Sequence, residues 1–157
     1  MIYYITMHHN VSKFVGLQAS YIKRYTPRTA GEYKVYCGLS GFGEFDGAEE
    51  NIKDHVFIDI TNVENQHWLR MNFLFDQLKK SVTFNDEDLV VFLDGDAFPI
   101  DYWEAEVREL LQDHEAVAVE RRENIEPLLA DKWKPFLILC SLLPKLNFGK
   151  IISLNGK

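Results

Sequence analysis

Leu89-Val90-Val91-Phe92-Leu93-Asp94-Gly95-Asp96 runs from five consecutive apolar residues straight into two acids. The apolar run is short, rich in β-branched and aromatic side chains, and reads as a buried strand. Two carboxylates one residue apart then emerge where that strand ends. In open α/β sheets, ligands bind at the carboxyl ends of the strands. Paired acids are costly there unless a cation or a set of donors neutralises them. The simplest neutraliser is a hard divalent ion, Mg²⁺ or Mn²⁺, carrying phosphate oxygens.

Outward from this stretch the chain alternates between strand and helix patterns. Ile2-Tyr3-Tyr4-Ile5-Thr6 reads as a first strand. A helix follows, with Asn10 or Ser12 as its cap, Phe14, Leu17, Tyr21 and Tyr25 at helical spacing, and Pro27 as its stop. Tyr33-Lys34-Val35-Tyr36-Cys37 is a second strand, and Gly38, Gly41, Gly43 and Gly47 punctuate a loop. Val56-Phe57-Ile58-Asp59-Ile60 is a third strand. Residues 66–80 carry Met71, Leu74, Phe75 and Leu78 at i, i+3, i+4 and i+7, the stripe of an amphipathic helix. Beyond Pro99, Asp101 and Glu104 resemble a capping box, ahead of a helix buried through Trp103, Val107, Leu110 and Leu111. Ala116-Val117-Ala118-Val119 is a further strand. This order predicts an α/β fold with a mostly parallel sheet flanked by helices.

Of the chain's 157 residues, 46% are hydrophobic, enough for one domain with a substantial core. The net charge of −7 argues against nucleic acid and anionic membrane as partners. Two cysteines, Cys37 and Cys140, make neither a disulfide framework nor a zinc spacing. The longest apolar stretch, Phe136 to Leu143, is too short to span a bilayer, so no transmembrane segment is expected. These features predict a soluble, cytoplasmic protein. Residues 128–157 differ from the rest: they hold five lysines and one acid, Asp131. Pro135, Pro144 and Gly149 break that tail, and Phe136–Leu143 reads equally as a strand or a short helix. The expected organisation is an α/β domain over 1–127 and an atypical tail over 128–157.

The segment Val90-Val91-Phe92-Leu93-Asp94-Gly95-Asp96-Ala97-Phe98-Pro99 resembles the DxD region of GT-A fold glycosyltransferases. Asn65-Gln66-His67-Trp68-Leu69-Arg70-Met71-Asn72, on the preceding helix, is similar to the polar helix that many of those enzymes carry ahead of the motif. The resemblance covers about residues 1–125. It implies a Rossmann-like, nucleotide-sugar-binding half. It further implies a UDP- or GDP-linked sugar donor, with Mn²⁺ or Mg²⁺ bridging its phosphates. Asp96 would ligate the metal directly, while Asp94 would touch the ribose or a metal-bound water. Gly95 would let the backbone approach the nucleotide. Thr6 to His8 would hold base and ribose, and His67, Arg70 and Asn72 would face the diphosphate. The acceptor, a glycan, lipid or protein, is unspecified. The second half of the family's fold, with its acceptor site and catalytic base, has no counterpart in the tail. That predicts a truncated, split or frameshifted transferase, or a donor-binding half that needs a partner.

Blander readings stand beside these. Asp94 and Asp96 also suit a solvated turn before Pro99. His8 and His9 suit a loop, and Asp59 suits a cap or turn. Arg121 and Arg122 suit a solvated pair, and Trp68 and Trp103 suit the core. Haloacid-dehalogenase-like phosphatases also place two aspartates after an apolar strand, which would make Asp94 a nucleophile and Asp96 a general acid/base. Their pair normally lies on the first strand, whereas here it lies on about the fourth. A non-catalytic nucleotide-sugar-binding domain is the remaining alternative.

Overall fold

Strands that read as unbroken apolar runs become strands buried on both faces. The computed structural model describes residues 1–10, 13–26, 33–41, 52–120 and 137–142, with backbone alone for 118–120 and 137–142. In chain order the elements are β1 (Ile2–His9), α1 (Lys13–Tyr25), β2 (Tyr33–Ser40), β3 (His55–Asp59), α2 (His67–Ser81), β4 (Leu89–Asp94), α3 (Glu104–Leu110), β5 (Ala116–Glu120) and β6 (Leu137–Leu142). The sheet runs β3-β2-β1-β4-β6-β5. Its first four strands are parallel, and β6 is antiparallel to both β4 and β5. This is an α/β, Rossmann-like fold, as the alternating pattern implies.

The two faces of the sheet carry separate cores. Tyr4, Val35, Cys37, Val91 and Leu93 pack with Val15 and Ile22 of α1 and Val107 of α3. Tyr3, Ile5, Tyr36, Val90 and Phe92 pack with Met71, Leu74, Phe75 and Leu78 of α2. The handedness of crossovers accounts for this division. β1 to β2 moves one way across the sheet, and β3 to β4 moves back the other way. Right-handed connections therefore put α1 and α2 on opposite faces.

Several expectations are corrected. The buried stripe of α1 is Val15, Gln18, Ala19 and Ile22, not Phe14, Leu17, Tyr21 and Tyr25. Leu17 is exposed, while Tyr21 and Tyr25 are partly covered by Phe98 and Tyr102 from the segment after β4. Gly38 belongs to β2 and not to a loop; a β-carbon there would meet Leu74 Cδ1 at 2.7 Å and Ile60 Cδ1 at 2.9 Å. Gly41 is the true turn residue, with φ +70° beside Asn10 at φ 55°. Asn10 thus closes β1, and its side chain bonds His9. Asp101 does not cap α3: Trp103 takes the cap position, and Asp101 accepts a hydrogen bond from the Tyr102 amide. Leu110 is exposed, whereas Trp103, Val107 and Leu111 pack inward.

Trp68 is 57% exposed instead of buried. It lies on the apolar stripe of α2, but in the first turn, where the helix reaches past the strand ends. Leu137–Leu142 resolves the strand-or-helix ambiguity as a strand. It lies beyond residue 127, yet it is inserted between β4 and β5 in the same sheet. Ser12, Pro27, Gly43, Gly47, Arg121 and Arg122 lie outside the described residues, as does the rest of the 128–157 tail. Among the described residues no helix is long and apolar enough to cross a membrane.

Candidate functional site

β1 is flanked by β2 on one side and β4 on the other, so the strand order reverses at β1. In doubly wound sheets the crevice at such a reversal, outside the carboxyl ends of the strands, is where ligands lie. Met7 of β1 pairs with Asp94 of β4, so His8 and His9 emerge beside Asp94, Gly95 and Asp96. The sequence features singled out for chemistry therefore meet at this point of the fold.

The two aspartates differ. Asp94 is partly buried and Asp96 is exposed. Asp94 Oδ1 lies 2.5 Å from Nε2 of His67, the first residue of α2. The chain then turns tightly, with the Ala97 amide donating to the Asp94 carbonyl at 3.0 Å. Gly95 sits where this turn rests on β1. A β-carbon on Gly95 would overlap the Met7 carbonyl oxygen and lie 2.9 Å from His8 Nδ1. The close approach of β1 and the His8 ring by itself requires glycine at 95.

His8 is buried, and burial holds its imidazole below the ordinary histidine value, against the opposing pull of the Gln18 hydrogen bond and the Asp96 charge. His8 is neutral at neutral pH on this account. Thr6 is fully buried, and its hydroxyl donates to Gln18 Oε1 at 2.8 Å. Thr6 therefore lies beneath the site and does not face a ligand. His9 is exposed, with Nδ1 2.9 Å from Ser40 Oγ.

The three polar residues of α2 do not converge. His67 meets Asp94. Arg70 is buried: its Nη1 donates to Ser40 Oγ at 2.9 Å, and its Nε and Nη2 donate to the Val63 carbonyl at 3.4 and 3.3 Å. Arg70 ties the end of β2 to the segment after β3, one layer below His9. Among the described residues no carboxylate pairs with it. Asn72 lies about 7 Å farther along the helix than His67 and on a different side, so it is not brought to Asp94. Asp59 accepts hydrogen bonds from the Thr61 side chain and from the Thr61 amide, the latter at 2.8 Å, and these hold its carboxyl below the usual range.

Gln18 escaped the sequence reading. It is 1% exposed, and its amide reaches both β1 and the turn after β4. The available signal was a polar residue on a buried helical face: Val15, Gln18, Ala19 and Ile22 follow i, i+3, i+4, i+7 spacing.

The donor set suits a hard cation. Two carboxylates supply oxygen ligands, and Mg²⁺ commonly binds through one or two carboxylates while keeping water and phosphate for its remaining positions. Among the described residues no group of three or more His, Cys, Asp or Glu forms a metal cage. An ion held by these two carboxylates would therefore complete its coordination with water and a ligand's phosphate oxygens. Compared with known proteins, the chain matches no family model and no curated sequence.

Proposed function

We propose that this chain is a GT-A-like glycosyltransferase domain that binds a UDP- or GDP-linked sugar in the crevice between β1 and β4. One observation carries the reading: Asp94, Gly95 and Asp96 form a tight turn at the carboxyl end of β4, beside β1, where the strand order reverses. Asp96, exposed, and Asp94, partly covered, would hold Mn²⁺ or Mg²⁺. Bound there, the ion would supply positive charge that stabilises the nucleoside diphosphate as leaving group.

The chain's own residues arrange this site. His67 orients the Asp94 carboxylate through their hydrogen bond. Arg70 adds a fixed buried positive charge on the β2 side, which favours a bound anion. Thr6 acts from below through Gln18, and not by touching the nucleotide. The sugar acceptor is an unidentified glycan, lipid or protein.

The reading is tested by incubating the protein with labelled UDP- and GDP-sugars and Mn²⁺ and measuring release of the nucleoside diphosphate. Release that stops on adding EDTA supports a metal-dependent transferase. Release that ignores EDTA contradicts it. Phosphate release from an aryl phosphate, with Asp94 phosphorylated, would place the pair in phosphatase chemistry instead.

A further inference from the structure

We propose that Gln18 is the positioning residue of this site: one buried amide fixes both the turn that carries Asp94 and Asp96 and the orientation of the His8 ring. The inference rests on the functional reading above only for what the turn is positioned to bind.

Gln18 Nε2 donates to the Asp94 carbonyl at 2.8 Å and to the Ala97 carbonyl at 2.6 Å. Its Oε1 accepts from Thr6 Oγ1 at 2.8 Å and lies 3.2 Å from His8 Nε2. Two backbone carbonyls can be met only by the NH₂ end of the amide, so its orientation is dictated by its partners. The oxygen end must then face donors. His8 Nε2 therefore carries the proton, and in the neutral ring Nδ1 is a bare lone pair. That nitrogen faces Gly95 at the middle of the turn.

The mounting is rigid. Val15 and Ile22, three residues before and four after Gln18 on the same helix face, are fully embedded in the core beneath β1 and β4. The amide uses all four of its hydrogen-bonding positions, two on backbone carbonyls of the turn and two on side chains of β1. Within the turn itself, the bond from Ala97 N to Asp94 O is the backbone hydrogen bond that closes it. Gln18 clamps the two carbonyls at either end of that turn, and so sets where Asp94 and Asp96 point relative to β1.

The test compares wild-type protein with Gln18→Met, which fills the same volume without hydrogen bonds, and Gln18→Glu, which sets oxygens against the two carbonyls. ¹⁵N NMR at pH 7.5 reads the His8 tautomer, hydrogen exchange reads the Ala97 and Val91 amides, and Mn²⁺ binding is followed by EPR. Wild-type His8 is expected as the Nε2–H tautomer. In Gln18→Met that preference is lost, whereas in Gln18→Glu the oxygen facing His8 still accepts from Nε2–H and keeps it; in both variants Ala97 exchange rises about tenfold while Val91, in the middle of β4, stays protected, and Mn²⁺ binds about tenfold more weakly. An Nδ1–H tautomer in the wild-type protein overturns the inference even if neither variant folds. Equal loss of protection at Ala97 and Val91 also overturns it, because Gln18 would then be serving global stability alone. Wild-type protein that binds no Mn²⁺ sinks the metal-site reading, while the tautomer and exchange results still decide the role of Gln18.

Discussion

Gly95 rests against the Met7 carbonyl: the space a side chain at 95 would need is already filled by the backbone of β1 and the ring of His8. Sequence spacing put the two aspartates at a strand end. This contact shows what holds them against the neighbouring strand. It also makes the turn sensitive to a single methyl group. Gly95→Ala forces backbone to move, because the obstruction is a main-chain oxygen. Such overpacking costs about 1–3 kcal/mol. Urea unfolding should show that loss, accompanied by weaker Mn²⁺ binding. Gly38→Ala is the comparison: its obstructions are the methyl ends of Leu74 and Ile60, which can rotate aside. A smaller loss, about 1 kcal/mol, is expected there. Equal costs at both positions would contradict the close approach at Gly95.

Arg70 is a structural clamp before it is anything else. Arg70→Leu leaves the Val63 carbonyl and the Ser40 hydroxyl without their charged donor. Hydrogen bonds to charged groups contribute about 1.5–3 kcal/mol, so destabilisation of about that size is expected in urea unfolding. Arg70→Lys should not restore it, since one ammonium cannot span two partners as the guanidinium fork does. A variant as stable as wild type would mean that the clamp contributes nothing.

Acid should destabilise the fold through one buried imidazole, His8, and one partly buried imidazole, His55. Burial pushes His55 down to about 4, and burial also lowers His8. Both values lie below that of an unfolded histidine, about 6.5. The unfolded chain therefore takes up protons first as pH falls. The stabilisation is present in full above about pH 6.5, and for His55 it is lost as pH falls toward about 4. Unfolding free energies measured from pH 7.5 to pH 4.5 should decline across that window. Substituting His55→Gln should make the decline shallower. An unchanged slope in that variant would assign the acid sensitivity to other groups.

Much of the fold was legible because its signals are local. The unbroken apolar runs of β1 and β4 mark strands covered on both sides, and the Met71-Leu74-Phe75-Leu78 stripe marks the buried face of α2. The misreadings arose where two surfaces compete for one helix. Tyr21 and Tyr25 of α1 are apolar because the Phe98–Tyr102 segment covers them, and that masked the true inward face with its single polar residue, Gln18. Trp68 shows the same limit in reverse, since periodicity does not say where the sheet beneath a helix ends. At the site, the position of Asp94 and Asp96 followed from the strand before them. That His67 reaches Asp94 while Arg70 turns to Ser40 depends on long-range packing that no spacing encodes.

Calorimetric titration with UDP and GDP, in Mn²⁺ and then in EDTA, on wild-type protein and Asp96→Asn bears most directly on the central proposal. One of the two nucleotides should bind wild-type protein in Mn²⁺, and binding should weaken by at least about tenfold on chelation or on loss of the Asp96 charge. Binding of equal strength in EDTA and in the Asp96→Asn protein, or binding of neither nucleotide, would contradict a metal-bridged diphosphate at the end of β4.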